Sequence, residues 1–485
     1  MRTILFVLLL LVNLAVKAQS KPILEPAAMR EDFAYLRGYL ERTQPMLFIH
    51  HTPEAMKAKM DSLAATMDKP LPFIEFFKKI AYLIAEVGCE HTSCGYGEGF
   101  ETLMRSTVFF PYQLYFTSNK VNILINMTLD NDIHPGDELL SINNHPIDSI
   151  RKVLHQYIPV DGHIITSKDQ QLSSMAFNVW YNLYIEQPAA FTVTVRTSKG
   201  EIITNTVKAV DLQELQKNAV KNPVNKPVLQ LDQQFKAWRK EPLHLELFPD
   251  QKAAVLTILS FATDMNKFRN KIDSLFHMIA DNKTEKLIIN LTNNGGGEVE
   301  LAADLLNYFI KDSTSIVEYS YLLTDKDEDL KLASIPDEIR KSKYDYIEPV
   351  KDGKSLAKLS KYAGELKTLQ PRPDRFSGKV FLFVNGGTSS AASTFAAVMK
   401  SLGLATVVGV ETAGCYAGGG TVIGLDLKLP NSKITTHTGL VYQRFRTSGG
   451  IPSRGVIPDV PYEITFKELF DTTRPWRKFI LGLNN

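Results

Sequence analysis

Two stretches decide the fold: Ile289-Asn290-Leu291-Thr292-Asn293-Asn294-Gly295-Gly296-Gly297 and Asn385-Gly386-Gly387-Thr388-Ser389-Ser390-Ala391-Ala392-Ser393. Each follows a short apolar run, Lys286 to Leu291 and Val380 to Val384, whose length and β-branched or aromatic content predict strands. Each is followed by helical periodicity, over Glu298 to Ile310 and Ala391 to Leu402. Outward from them, Ala253 to Ser260 and Thr406 to Val410 read as further strands, and Asn266 to Ala280 as a helix. Strands alternating with helices predict an α/β layer on a parallel sheet. In such a sheet the loops at the strand carboxyl ends share one crevice, so the two turns should face each other.

Their composition says what they could do there. Successive glycines at a helix start let bare backbone N–H groups approach an anionic oxygen, although a tight turn without a ligand would look the same. A serine on a sharp turn before a helix is placed as a nucleophile, although hydroxyls at helix starts most often cap the helix. The pairing of the two turns makes a serine at this helix start, Ser389 or Ser390, the candidate nucleophile. Gly295, Gly296 and Ala391 are the candidate oxyanion donors.

The rest of the chain divides around this half. Residues 1–18 carry Arg2, an apolar run from Ile4 to Val12, and the small residues Val16 and Ala18 at a cleavage site. This is the order of a secretory signal peptide, and the run is short of the roughly 20 residues a membrane span needs. Residues 19–104 read as a helical cap, with three-to-four spacing over Arg30 to Arg42, Pro53 to Met67 and Pro72 to Ile84. Residues 105–210 turn to strands at Tyr112 to Phe116, Val121 to Ile125 and Phe191 to Arg196, interrupted by a helical insertion near Ser167 to Ile185. Residues 211–250 are polar and read as a linker plus helix. Residues 251–470 form the α/β domain, with a charged insertion at 315–372 expected to be mostly helical, and 471–485 form a tail.

Several function classes drop out. The formal charge of +2 falls to zero once residues 1–18, with Arg2 and Lys17, are removed. No basic stripe points to nucleic acid. No phosphate loop, His-Glu-x-x-His helix or dinucleotide-binding turn occurs, so no cofactor is expected. Three cysteines are too few for a disulfide scaffold. Cys89 and Cys94 could pair in an oxidising envelope or stay reduced. Cys89, His91, Cys94 and Cys415 are zinc-ligand types, but the Cys-x-His-x-x-Cys spacing is not a usual pairing, and no metal is expected.

The motifs resemble the C-terminal-processing (tail-specific) peptidases and the related core of tricorn protease. Leu287 to Gly297 is similar to the family's L-I-x-D-L-R-x-N-x-G-G, with Asn290 for the Asp and Thr292 for the Arg. Thr388 to Ala396 is similar to S-A-S-A-S-E-I-F-A, which puts Ser390 at the nucleophile position and Ser393 at the Glu. Val408 to Gly414 resembles V-G-E-x-T-x-G with one extra residue, and Gly455 to Asp459 the closing G-I-x-P-D. Ile133 to Asn143, followed by Pro146 to Ile150, resembles the core of a PDZ domain, a module that captures peptides by strand addition.

The resemblance implies a peptidase domain of crotonase-like or ClpP-like βα layers, with an N-terminal helical segment and an inserted PDZ-like β-module. It implies an exported serine endopeptidase, periplasmic or extracellular, acting on polypeptides. One departure stands out. The Ser/Lys branch places its general-base lysine just after T-x-G, where this chain has Cys415. The tricorn-like branch uses a histidine at the end of the N-terminal segment, and His91 in Gly88-Cys89-Glu90-His91 fits that position. Glu90 and Glu411 are the candidate carboxylates to orient it. The alternative is a catalytically inactive relative that binds a peptide or small apolar ligand in the same crevice.

Overall fold

The computed structural model describes residues 23–238, 240–324, 326–332, 347–349, 357–359, 368–470 and 476–480. The export signal expected at 1–18 lies outside these residues, as does most of the tail at 471–485.

The chain opens on three helices, α1 (Pro26–Thr43), α2 (Pro53–Ala65) and α3 (Phe73–Glu86). Pro26 and Pro53 sit in first turns, where the missing N–H costs nothing. The Thr52 hydroxyl accepts from the Ala55 amide and caps α2. α1 buries Met29, Phe33, Leu36 and Leu40, and α3 buries Phe73, Phe76, Phe77, Ile80 and Ile84. Beyond α3 a short loop leads to β1 (Ser93–Gly95), whose antiparallel partner, Thr435–Gly439, comes 340 residues later. The cap is thereby tied to the far end of the chain.

Next comes an antiparallel module of β2 (Tyr112–Phe116), β3 (Val121–Asn126), β4 (Glu138–Ile142), β5 (Ala190–Arg196) and β6 (Ile202–Lys208), paired in that order. The helices α4 (Ile147–Leu154), α5 (Ile165–Leu172) and α6 (Ala176–Tyr184) lie between β4 and β5. Asn143 and Asn144 both take positive φ (49° and 63°), which is why an Asn-Asn pair makes this turn. Cap, module and the late hairpin share one core, in which Phe110, Phe177, Tyr181 and Phe191 interlock.

The stretch read as a polar linker contains α7 (Leu212–Lys221) and α8 (Lys226–Trp238), and also β7 (Leu243–Phe248). β7 pairs antiparallel with β8 (Ala253–Ile258) and so belongs to the main sheet. It went unread because only one of its residues is fully buried, as suits an edge strand. The sheet continues through β9 (Lys286–Asn290), preceded by α9 (Met265–Asp281) and followed by α10 (Val299–Leu306). α10 is shorter at both ends than the periodicity suggested.

The 315–372 insertion departs from expectation. Its described residues include β10 (Val317–Leu322) and strands at Ile347–Pro349 and Ala357–Leu359, rather than mostly helix. Val317, Tyr319 and Tyr321 are β-formers whose pairing with a late strand outweighs the flanking charge.

The remaining elements are β11 (Lys379–Val384), α11 (Ser390–Ser401), β12 (Thr406–Gly409), β13 (Gly418–Gly420), β14 (Gly424–Lys428), β15 (Thr435–Gly439), β16 (Tyr442–Phe445) and β17 (Val460–Pro461). The main sheet has the order β7-β8-β9-β11-β12-β17, parallel throughout except for β7. One face is covered by α9, α10 and α11 through Phe268, Ile272, Leu305 and Phe395. The other buries Val255, Ile288, Phe383 and Val408 against Trp476 and Ile480. This is the expected α/β architecture with its helical cap and inserted β-module. Among the described residues no helix is long and apolar enough to cross a membrane.

At the junction of cap and module His50 is half-buried, with both ring nitrogens shut off from solvent and neither given a partner among the described residues. It faces His163, with ring centroids 6.3 Å apart, and lies near His51. Burial, then the two other imidazoles, lowers its pKa from 6.5 to about 4. Between those values the unfolded chain binds a proton that the folded chain refuses. Stability is therefore complete above about pH 6.5 and is lost as pH falls towards 4. Urea unfolding should show a His50-dependent loss of about 2 kcal/mol between pH 7.5 and pH 5, and His50→Leu should remove that part of the pH dependence.

Candidate active site

β9 and β11 are neighbours in parallel register, from Lys286 opposite Lys379 to Asn290 opposite Phe383. Their carboxyl ends therefore release the two Gly-rich turns side by side, as the sequence implied. The turns are laced together. The Asn293 amide donates to Asn385 Oδ1 (2.8 Å), and Asn385 Nδ2 donates to Asn293 Oδ1 (2.9 Å). The Thr388 hydroxyl donates to the Leu291 carbonyl (2.8 Å), and the Ser389 amide to the Asn294 carbonyl (3.0 Å). Asn294, wholly buried, donates to the Ile258 carbonyl and accepts from the Gly296 amide, both at 2.9 Å.

Ser390 opens α11 with φ +49°, a left-handed conformation that costs a serine about 1–3 kcal/mol and persists only where surroundings impose it. The surroundings are visible. A Cβ on Gly296 would lie 2.6 Å from Ser390 Cβ and 2.9 Å from the Ala391 nitrogen. Only glycine, itself at φ +95°, lets the first turn approach the second this closely. The Ser390 carbonyl accepts from the Ser393 and Thr394 hydroxyls (2.8 and 3.0 Å). Ser393, where the resemblance has a Glu, is thus a buried helix residue bonded to the preceding turn. The Ala391 amide is one of those a helix start leaves without an intrahelical acceptor.

The loop after α3 brings Glu90 and His91 to the same place. Glu90 Oε2 accepts from the Ser389 hydroxyl at 2.6 Å, and Oε1 accepts from the Ser390 amide at 3.2 Å. His91 Nε2 lies 3.6 Å from Glu90 Oε1. Among the described residues no hydrogen bond joins His91 to the Ser390 hydroxyl. The arrangement gathers Glu90, His91, Ser389, Ser390, Gly296 and the Ala391 amide from three segments of the chain. It leaves Glu411 out. That carboxylate accepts from Arg454 Nε and Nη2, both at 2.7 Å, and from the Gly455 amide at 2.8 Å.

Cys415 is buried one residue past Gly414, and an added Cβ on Gly414 would meet Ser393 Oγ at 2.1 Å. Burial, then Asp161 and Glu90, pushes the Cys415 thiol well above its usual range, so it is no base. Cys89, Cys94 and Cys415 are all free thiols, and among the described residues no cluster of His, Cys, Asp and Glu could hold a metal.

Asp161 escaped the sequence reading altogether. It is 3 % exposed and accepts the amides of Glu90 (2.8 Å) and Cys415 (3.3 Å). A lone Asp-Gly in a loop reads as a turn, and nothing local says that it is buried 71 residues away from its partner.

The model for peptidase family S41 matches residues 252–462. This stretch is thus similar to that family. Mature CPAF has the same fold, with a TM-score of 0.64 at 16% identity over 94% of this chain and 96% of that one. CPAF complexed with lactacystin aligns with a TM-score of 0.63 at 15% identity, over 94% and 97% of the two chains. No curated protein matches the chain in sequence. The S41 match begins at β8 and ends at β17, so it takes in both Gly-rich turns but not the loop bearing His91.

In the S41 region the Arg454–Glu411 pair works as a clamp between the end of β12 and the closing loop. Arg454→Ala leaves a nearly buried carboxylate with one amide donor and should cost about 1–3 kcal/mol, read as a lower urea midpoint at unchanged slope. Arg454→Lys, which loses the two-pronged geometry but keeps the charge, should cost less.

Proposed function

We propose that the chain is an exported serine endopeptidase of the tail-specific type, closer to the tricorn-core-like branch, that hydrolyses peptide bonds in polypeptide substrates. The observation that carries this reading is the strained Ser390 at the head of α11, wedged against Gly296, with the Glu90–His91 loop reaching it from the helical cap. A serine held at positive φ on a strand-to-helix turn presents its hydroxyl outward, clear of its own helix.

In this reading the Ser390 hydroxyl attacks the scissile carbonyl carbon while its proton passes to His91. The carbonyl oxygen becomes an oxyanion. The Gly296 amide is already given to Asn294, which leaves the Gly295 and Ala391 amides as its donors. His91 then hands the proton to the departing amine as the C–N bond breaks. Water enters, gives a proton to His91, and releases the acyl group from Ser390. Glu90 supports the imidazolium that forms twice in the cycle. Catalytic hydrogen bonds are often long before substrate binds, so the absent His91–Ser390 bond is one that substrate would have to bring about. The PDZ-like module would present a chain to the crevice by strand addition.

A second reading has a specific observation behind it. Ser389 donates to Glu90 at 2.6 Å, a short charge-assisted bond that could activate Ser389 instead.

Labelling by a fluorophosphonate tests both. The wild type should label, Ser390→Ala and His91→Ala should lose at least about 100-fold in rate, and Ser389→Ala should keep most of it. Loss in Ser389→Ala with retention in Ser390→Ala would transfer the role to Ser389. A folded wild type that does not label would overturn the enzyme and leave an inactive relative that binds its ligand in the crevice. Since CPAF has been captured with lactacystin, that compound should compete with the probe if the sites are alike.

A further inference from the structure

The serine site is closed on one side by residues 161–166, which arrive from the inserted module. The Gly162 amide donates to the Gly88 carbonyl and the His163 amide to the Ser453 carbonyl, both at 3.0 Å. The Thr166 hydroxyl donates to the Glu411 carbonyl at 2.9 Å. A Cβ on Gly386 would lie 2.2 Å from the Thr166 carbonyl oxygen, and one on Gly162 would lie 2.3 Å from the Ser453 carbonyl oxygen. The segment therefore touches the His91 loop, the serine turn, the end of β12 and the closing loop within six residues.

At its head is Asp161. Its two oxygens are divided between two loops: Oδ1 takes the amide of Glu90 and Oδ2 that of Cys415. An added Cβ on Gly419 would come within 2.9 Å of Oδ2, so β13 packs directly on the carboxylate. The titratable groups that face it are Glu90, Cys89 and Cys415, and among the described residues no Lys, Arg or His pairs with it. Burial, then the Glu90 charge, raises its ionisation well above the usual carboxylate range. A buried carboxyl with no counter-charge beside a second carboxylate is a poor choice for stability alone. What it does supply is position. It fixes the backbone of Glu90, whose side chain reaches Ser389 and Ser390 and whose neighbour is His91.

We propose that Asp161 is a positioning residue of the serine site, which holds the Glu90–His91 pair opposite Ser390 through the amides of Glu90 and Cys415. The inference rests on the reading in which His91 serves Ser390. It makes the inserted module part of the catalytic apparatus, since the module supplies the residue that sets the base loop.

The test uses the full chain as wild type, Asp161→Asn and Asp161→Ala, with two measurements. In fluorophosphonate labelling the maximal rate should fall at least about tenfold in Asp161→Ala, with the half-saturating probe concentration within about twofold of wild type. Asp161→Asn, which keeps one acceptor oxygen, should recover part of the rate. In amide hydrogen exchange Glu90 and Cys415 should exchange at least about tenfold faster in Asp161→Ala, with β8 and β9 unchanged. Wild-type rates in both variants, or faster exchange without slower labelling, would overturn the proposal. Exchange accelerated equally in β8 and β9 would reduce Asp161 to a general structural role and overturn it as well. An unlabelled wild type would instead overturn the serine-hydrolase reading, and exchange alone would then decide whether Asp161 holds the loop.

Discussion

The approach of two turns within van der Waals distance is the constraint on which the site depends. Parallel pairing of β9 and β11 sets their carboxyl ends level, and the hydrogen bonds between Asn293, Asn385, Thr388 and Leu291 close the remaining gap. At that separation there is room for a hydrogen at position 296 but not for a methyl group. The same contact holds Ser390 in a backbone conformation it would not adopt alone. A strained serine and an unsubstituted glycine are thus two faces of one packing event.

The main sheet supplies two of the three segments at the site, and long-range ties hold the third. β1 pairs with β15, and Asp32 of α1 accepts the amides of Asn431 and Ser432, so the cap is bound to the late hairpin at two places. The loop between α3 and β1 is suspended between those ties and the module. This explains how the loop bearing Glu90 and His91 reaches the turn bearing Ser390, 300 residues on. The chain's two halves are joined through one continuous core that includes cap, module and hairpin, so a shift in one is transmitted to the site.

The strand-turn-helix units were legible because their signals are local. Runs such as Lys286 to Leu291 and Val380 to Val384 are bounded by Gly and Asn, and the helices behind them keep strict spacing. The Gly-rich turn and the serine turn could be proposed for the same reason, and His91 through the family resemblance alone; the fold brings Ser390, His91, Gly296 and Ala391 together. What was illegible depends on contacts between distant positions. β7 has only one buried residue, as suits an edge strand, and was hidden in a polar stretch. β10 needed its pairing with β16, more than 100 residues on, to win over the charged sequence around it. Of the two candidate carboxylates, local sequence could not say that Arg454 claims Glu411 while Glu90 turns to the serines. Asp161 carried no signal, because burial of a loop carboxyl is decided entirely by what packs on it.

Cys415 brings these points together. A lysine there would sit among Asp161, Glu90 and Ser390, and its charge would compensate the buried carboxyl. With a thiol in its place, no cation among the described residues offsets Asp161, and the neutral form of the thiol is favoured by burial and then by the same carboxylates. In the proposed reading the proton that leaves the serine then goes to a group outside the S41-matched region. The segment that carries such a group is the loop bearing Glu90 and His91, and it is this loop that Asp161 anchors. In the proposed reading, the thiol at position 415 and the histidine loop held by Asp161 belong together: the first leaves Ser390 without a base beside it in the sheet domain, and the second brings one from the cap.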